Sequence, residues 1–318
     1  MFAARGIAVS FSVFLIVYCA LSLAVACTWR WSKVWLHSRQ LSARRAADLL
    51  FALRIFPLAA AAVITAAFTV PSFLLLEPRT IDEPLGGIPL VLGLCGAALG
   101  LFGVANAALA IRKASRAISE WTTGAQPATP CGQVAVTRIS RTVPAMTATG
   151  IVRPRVLLSG VAESLLTATE LQTALNHEVA HVRRRDNLKK LLLRLVAFPG
   201  MIGLESAWLE ATEMAADDAA VSNHGEALDL AAALIKLSRL GPLDPPVDLT
   251  AALVHGAASL TTARIQRLIA WNSQHRHSLR RFSPWYAVSA AFVTVAIFAI
   301  TYAQLLVHVH TATEWLVR

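Results

Sequence analysis

Thr167-Ala168-Thr169-Glu170-Leu171-Gln172-Thr173-Ala174-Leu175-Asn176-His177-Glu178-Val179-Ala180-His181-Val182-Arg183-Arg184-Arg185-Asp186 reads as a helix that opens on a capping box and carries HExxH. Thr167 and Glu170 stand at the S/T-x-x-E spacing, at which each side chain satisfies a free backbone donor of the other residue. Leu171, Leu175, Val179 and Val182 form an apolar stripe at helical spacing, and the pattern predicts a helix to about Phe198, where Pro199-Gly200 stops it. His177 and His181 lie one turn apart on it, so both imidazoles reach a single metal ion from one face. Glu178 stands beside them in the position of a general base for zinc-assisted hydrolysis.

Two histidines do not complete such a site; a third protein ligand is required. The next predicted helix, Leu204 to Val221, carries Glu210-Ala211-Thr212-Glu213-Met214-Ala215-Ala216-Asp217-Asp218. Glu213 is the expected ligand, because Asp217 shares its face one turn later and can accept the N–H of a ligand histidine. Glu210 is the competing ligand, and a solvated acidic helix face is the alternative for the cluster. His224 is a candidate hydrogen-bond donor to a tetrahedral intermediate, set against an ordinary role at a helix end.

The setting of this motif is apolar. Of the 318 residues, 56% are hydrophobic and 15% charged, and the mean hydropathy is +0.56. That composition is expected of an integral membrane protein. Four stretches approach the roughly 20 apolar residues that cross a bilayer: Ile7 to Cys27, Ile55 to Leu76, Ile88 to Ile111 and Trp285 to Val307. Arg30, Lys33, Arg39, Arg44 and Arg45 follow the first, Arg112, Lys113 and Arg116 the third, and His275 to Arg281 precede the fourth, whereas Glu77, Asp82 and Glu83 mark the second connection as acidic. The positive-inside rule then puts both termini outside and the region between spans three and four in the cytoplasm.

The net charge of +10 follows from that topology and from anionic lipid headgroups. The arginines cluster at membrane edges without a recognition motif, so direct nucleic-acid binding is not expected. Cys19, Cys27, Cys95 and Cys131 form neither a disulfide framework nor a cysteine-type zinc site. The expected fold is α+β: a three-span membrane region over 1–112, a cytosolic gluzincin-like domain over 113–283, and a fourth transmembrane helix with a short outer tail over 284–318. Within the cytosolic region, Gln133 to Ile139 and Arg155 to Ser159 read as strands, and Ala227 to Leu240 and Leu249 to Trp271 as helices. Val156, Leu157 and Leu158 are candidates for an edge strand that pairs with an extended substrate, with a plain core strand as the equal alternative.

With these features in place, the chain resembles the BlaR/MecR-type integral membrane zinc metallopeptidases, the antirepressor family of beta-lactam sensing. The resemblance rests on Pro154-Arg155-Val156-Leu157-Leu158-Ser159, on His177-Glu178-Val179-Ala180-His181-Val182-Arg183-Arg184-Arg185-Asp186, on Glu213-Met214-Ala215-Ala216-Asp217-Asp218 and on Arg264-Ile265-Gln266-Arg267-Leu268. It implies Zn2+ held by His177, His181 and Glu213, Glu178 as general base, and Asp217 behind the ligands. Asp186 is then expected to tie the active helix to a neighbour or to be a solvated charge. The implied substrate is a cytosolic protein, often a DNA-binding repressor, and the implied location is the bacterial inner membrane. The chain shows no penicillin-binding sensor domain after the fourth span, so a signal is expected to arrive through the short outer loops, the lipid or a separate sensor partner. Two other functions fit parts of this pattern: a quality-control metallopeptidase of the HtpX type, and a non-catalytic signalling scaffold with a structural metal.

Overall fold

The computed structural model of the chain describes residues 2–38, 42–78, 86–141, 144–195, 198, 200–240, 249–252, 258–271 and 301–314. Its contacts divide it into two units, one of Met1–Lys33, Leu53–Phe102 and Ser278–Arg318, the other of Val34–Ala52 and Gly103–His277.

The first unit is helical. Phe2–Arg30, Ala43–Leu76 and Gly87–Trp121 are long and apolar enough to cross a membrane. They contain the first three expected spans, on helices α1 (Phe2–Ser38), α2 (Ala43–Ile64) with its continuation α3 (Val70–Leu76), and α4 (Gly87–Trp121). The fourth expected span is not among them: 301–314 is helical, while 285–300 and the basic run from His275 to Arg281 lie outside the described residues. Ile7, Leu23, Val63, Leu75, Ile88 and Leu101 are exposed on these helices, which suits surfaces solvated by lipid tails. Small residues let α1 and α4 approach closely: a Cβ on Gly96 would sit 2.5 Å from the Phe11 carbonyl oxygen.

Between α2 and α3 the helix widens into one π turn, Thr65–Thr69. Pro71 has no N–H to offer the Ala67 carbonyl four residues back, and the Tyr302 hydroxyl donates to that carbonyl at 2.6 Å. At one end of the same unit Arg5 pairs with Glu77 at 3.1 Å.

The second unit is built on a five-stranded sheet in the order β1-β2-β4-β3-β5, from β1 (Gln126–Cys131), β2 (Val134–Ile139), β3 (Met146–Thr149), β4 (Arg155–Ser159) and β5 (Ala251–Ala252). β2 and β4 run parallel; the other neighbours are antiparallel. The predicted strands are β2 and β4. β1 carries Pro127 and Pro130, residues that suit the edge position it takes.

β4 lies between β2 and β3, and Val156, Leu157 and Leu158 are 0%, 0% and 3% exposed. Both sides of that strand are already hydrogen-bonded, so the three residues form a core strand and not a free edge for substrate.

Helix α6 (Ala168–Arg183), which follows the short α5 (Gly160–Leu165), packs between this sheet and helices α8 (Ile202–Ala220) and α9 (His224–Ser238). Val136, Met146, Val156 and Leu158 from the sheet meet Ala174 and Val179 of α6 and Leu230 and Leu234 of α9 in one core. The capping box forms as expected: Thr167 N–H donates to Glu170 at 2.8 Å and Glu170 N–H to the Thr167 hydroxyl at 3.3 Å. Glu170 also takes Lys236 of α9 at 2.7 Å, which ties the start of α6 to the end of its neighbour.

The predicted continuation of this helix to Phe198 does not occur. α6 ends at Arg183, and Arg185 adopts a left-handed backbone with φ 54°, after which α7 (Asp186–Leu195) begins in a new direction. The expected helix from Leu249 is shorter as well: Leu249 itself has φ 62°, β5 follows it, and α10 (Ala258–Ile269) begins later.

Candidate metal centre

α6 presents His177 and His181 on one face, and α8 crosses it so that Glu213 meets them. The three are buried, and their ligand atoms lie within 4.8 Å of one another. The two imidazole Nε2 atoms are 3.1 Å apart, His177 Nε2 is 3.5 Å from Glu213 Oε2, and His181 Nε2 is 3.6 Å from Glu213 Oε1. Two nitrogens bound tetrahedrally to zinc at about 2.0–2.1 Å lie about 3.3 Å apart. The spacing therefore fits one such ion.

The far side of each ring supports the same reading. His177 Nδ1 lies 2.9 Å from Asp217 Oδ1, and His181 Nδ1 lies 2.8 Å from Asp186 Oδ2. A carboxylate at Nδ1 holds the proton there and turns the Nε2 lone pair toward the shared point. Asp217 stands behind the His177 ring. Asp186 is fully buried and has a specific partner, so it is the tie and not the solvated charge. The break at Arg184-Arg185 is what carries Asp186 back against the second histidine.

Glu178 is also fully buried, on the sheet side of α6. Its Oε2 accepts the Ala148 N–H of β3 at 2.7 Å, and its Oε1 has no hydrogen-bond partner among the described residues. Asn187 Nδ2 donates to the Ala148 carbonyl at 3.1 Å, which fixes β3 against the start of α7. The strand beside the candidate base is thus β3 and not β4.

Glu210, the competing ligand, is exposed on α8. His224 opens α9 behind the Asn223 cap, and its Nδ1 lies 3.2 Å from the Trp271 carbonyl oxygen. Arg264 of α10 is the residue that reading by position did not assign. It is 1% exposed, and its Nε and Nη2 donate to Asp217 at 2.9 and 2.7 Å, while Nη1 lies 2.9 Å from Glu213 Oε2.

These contacts set the protonation of the centre. Burial by itself would drive His177 toward neutrality, but the Asp217 and Glu213 carboxylates outweigh it and lift the imidazole to about 9. Burial would raise Glu213, yet the Arg264 guanidinium and the two histidines bring it down to about 2. Asp217 is held well below the usual carboxylate range against the same burial by Arg264 and His177. Glu178 is pushed up by burial, against the opposing pull of His181 and His177.

The sequence matches the family described as BlaR1 peptidase M56 over residues 11–268. The chain belongs to the M56 peptidases. A search of curated proteins finds no match. The M56 match runs from the first membrane helix through the metal centre to α10, and the family is one of membrane metallopeptidases. A buried His177-His181-Glu213 group that could hold a metal ion and three membrane-length helices are what this chain contributes to that description.

For this M56 chain the raised His177 has a direct consequence. In the metal-free protein below about 9 the ring carries a second proton, on Nε2, and a metal has to displace it to use that nitrogen. Apparent zinc affinity is expected to climb with pH, by up to about tenfold per unit between about pH 7 and about pH 9. Chelator-competition titrations across that range check it; an affinity independent of pH would contradict the assigned protonation.

Proposed function

We propose that this M56 protein is a zinc-dependent endopeptidase, anchored in the bacterial plasma membrane, that cleaves a cytosolic protein serving as a transcriptional repressor or other regulator. Both termini then face outward and the metal centre faces the cytoplasm, as the distribution of basic residues around the apolar segments supports. The observation that carries the reading is the convergence of His177, His181 and Glu213 beside a buried carboxylate with one oxygen unpaired among the described residues, in a chain of this family.

Zinc, when bound, supplies Lewis-acid polarisation of a peptide carbonyl and lowers the pKa of water from about 15.7 toward about 7. The remaining work falls to side chains. Glu178 Oε1 takes the proton of the attacking water and returns it to the leaving amine, while the Ala148 N–H on Oε2 keeps the carboxylate aimed. Asp217 and Asp186 keep His177 and His181 in the tautomer that leaves Nε2 free. The partners are the lipid bilayer and the protein substrate; nucleic acid is not contacted directly.

Comparison of protein N-termini in cells expressing wild type with those expressing Glu178→Gln tests the substrate class. One or a few new N-termini in a cytosolic regulator, dependent on Glu178, are expected. A broad set from damaged membrane proteins would overturn the regulatory reading in favour of quality control.

A further inference from the structure

Arg264 reaches the metal centre from α10, 47 residues after Asp217 in sequence, and turns Nε, Nη1 and Nη2 toward the two α8 carboxylates. We propose that it is a positioning residue of the metal centre: its ion pair with Glu213 holds that carboxylate in place, and through Asp217 it sets the His177 ring. The inference deepens the proposed function and rests on a metal being bound by His177, His181 and Glu213.

The geometry requires a fork. Nε and Nη2 match the two oxygens of Asp217 at 2.9 and 2.7 Å, the bidentate arrangement that a planar guanidinium makes and an ammonium does not. Nη1 is left to face Glu213 Oε2 at 2.9 Å.

Charge balance points the same way. Glu178, Glu213, Asp217 and Asp186 bring four carboxylates into one buried region, and the Arg264 guanidinium, 1% exposed, is the charge that both α8 carboxylates share. The pair of acids holds it firmly protonated, against the effect of burial. A buried cation kept by two specific contacts organises both partners, because removing it leaves each uncompensated.

Cobalt in place of zinc makes the ligand set visible, since its visible bands are intense in four-coordinate sites and weak at higher coordination. The test uses the full chain in detergent: wild type, Arg264→Lys, and the charge-balanced pair Arg264→Gln with Asp217→Asn. Near-ultraviolet circular dichroism of the metal-free proteins establishes that the variants fold, and the pair serves where the lysine variant does not. Folded variants are expected to bind cobalt about 10–100-fold more weakly and to show weaker, shifted bands. Wild-type affinity and wild-type bands in a folded variant would overturn the assignment. Wild type that binds no cobalt or zinc would instead overturn the metal reading beneath it.

Discussion

Glu178→Gln is expected to lower the rate of peptide cleavage by about 10²–10⁴-fold, the usual contribution of a positioned general base, with zinc content close to wild type. The substitution keeps the size of the side chain. Its amide oxygen can still accept the Ala148 N–H that Oε2 now takes, so β3 and α6 keep their contact. What it loses is an oxygen able to take a proton, at the position where Glu178 Oε1 has no hydrogen-bond partner among the described residues. The nearby ligands are unchanged, so metal analysis and turnover separate the two roles. Retained turnover in a zinc-loaded variant would remove Glu178 from the chemistry.

Glu213→Ala is expected to strip the metal. A structural zinc site is held by about 10–16 kcal/mol across four ligands, so one ligand corresponds to about 3–4 kcal/mol, or about a hundred- to a thousandfold in affinity. The loss is compounded because Arg264, deprived of Glu213 Oε2, is left to Asp217 alone on α8. Zinc per chain, measured after dialysis against a weak chelator, is the readout. Unchanged zinc would move the third ligand elsewhere, and Glu210, exposed one turn earlier, would then have to be reached by a rotation of α8.

The parts of this centre that could be read from sequence are those encoded by local spacing. His177, Glu178 and His181 fall within five consecutive positions of one helix, and Glu213 and Asp217 share one turn of another. Capping at Thr167 and Glu170 is equally local, and it forms. The membrane helices were legible for a different reason, since length and hydropathy are properties of the segment and need no partner.

Long-range pairing was harder to read. Arg264 meets Asp217 only because α10 packs on α8 and α9, and no spacing rule connects residues that far apart. The turn at Arg185 requires a left-handed residue that is not glycine, so an unbroken helix was the natural expectation from the stripe of apolar residues. That same turn delivers Asp186 to His181, a contact that no local spacing encodes. β4 illustrates the limit for strands. An apolar run of five residues suits an edge or a core strand equally, and only pairing with both β2 and β3 decides between them. β3, which touches Glu178, is four residues long and is half threonine, too short and too polar for a periodicity signal.

The most direct test of a metal-dependent peptidase centred on His177, His181 and Glu213 is a paired measurement on purified wild type and Glu178→Gln. Zinc per chain is determined for both, and both are incubated with candidate cytosolic regulators before and after chelation and zinc restoration. The account predicts zinc in both proteins, with cleavage by wild type alone, lost on chelation and regained with zinc. Cleavage that survives chelation, or that Glu178→Gln performs as well as wild type, would contradict it.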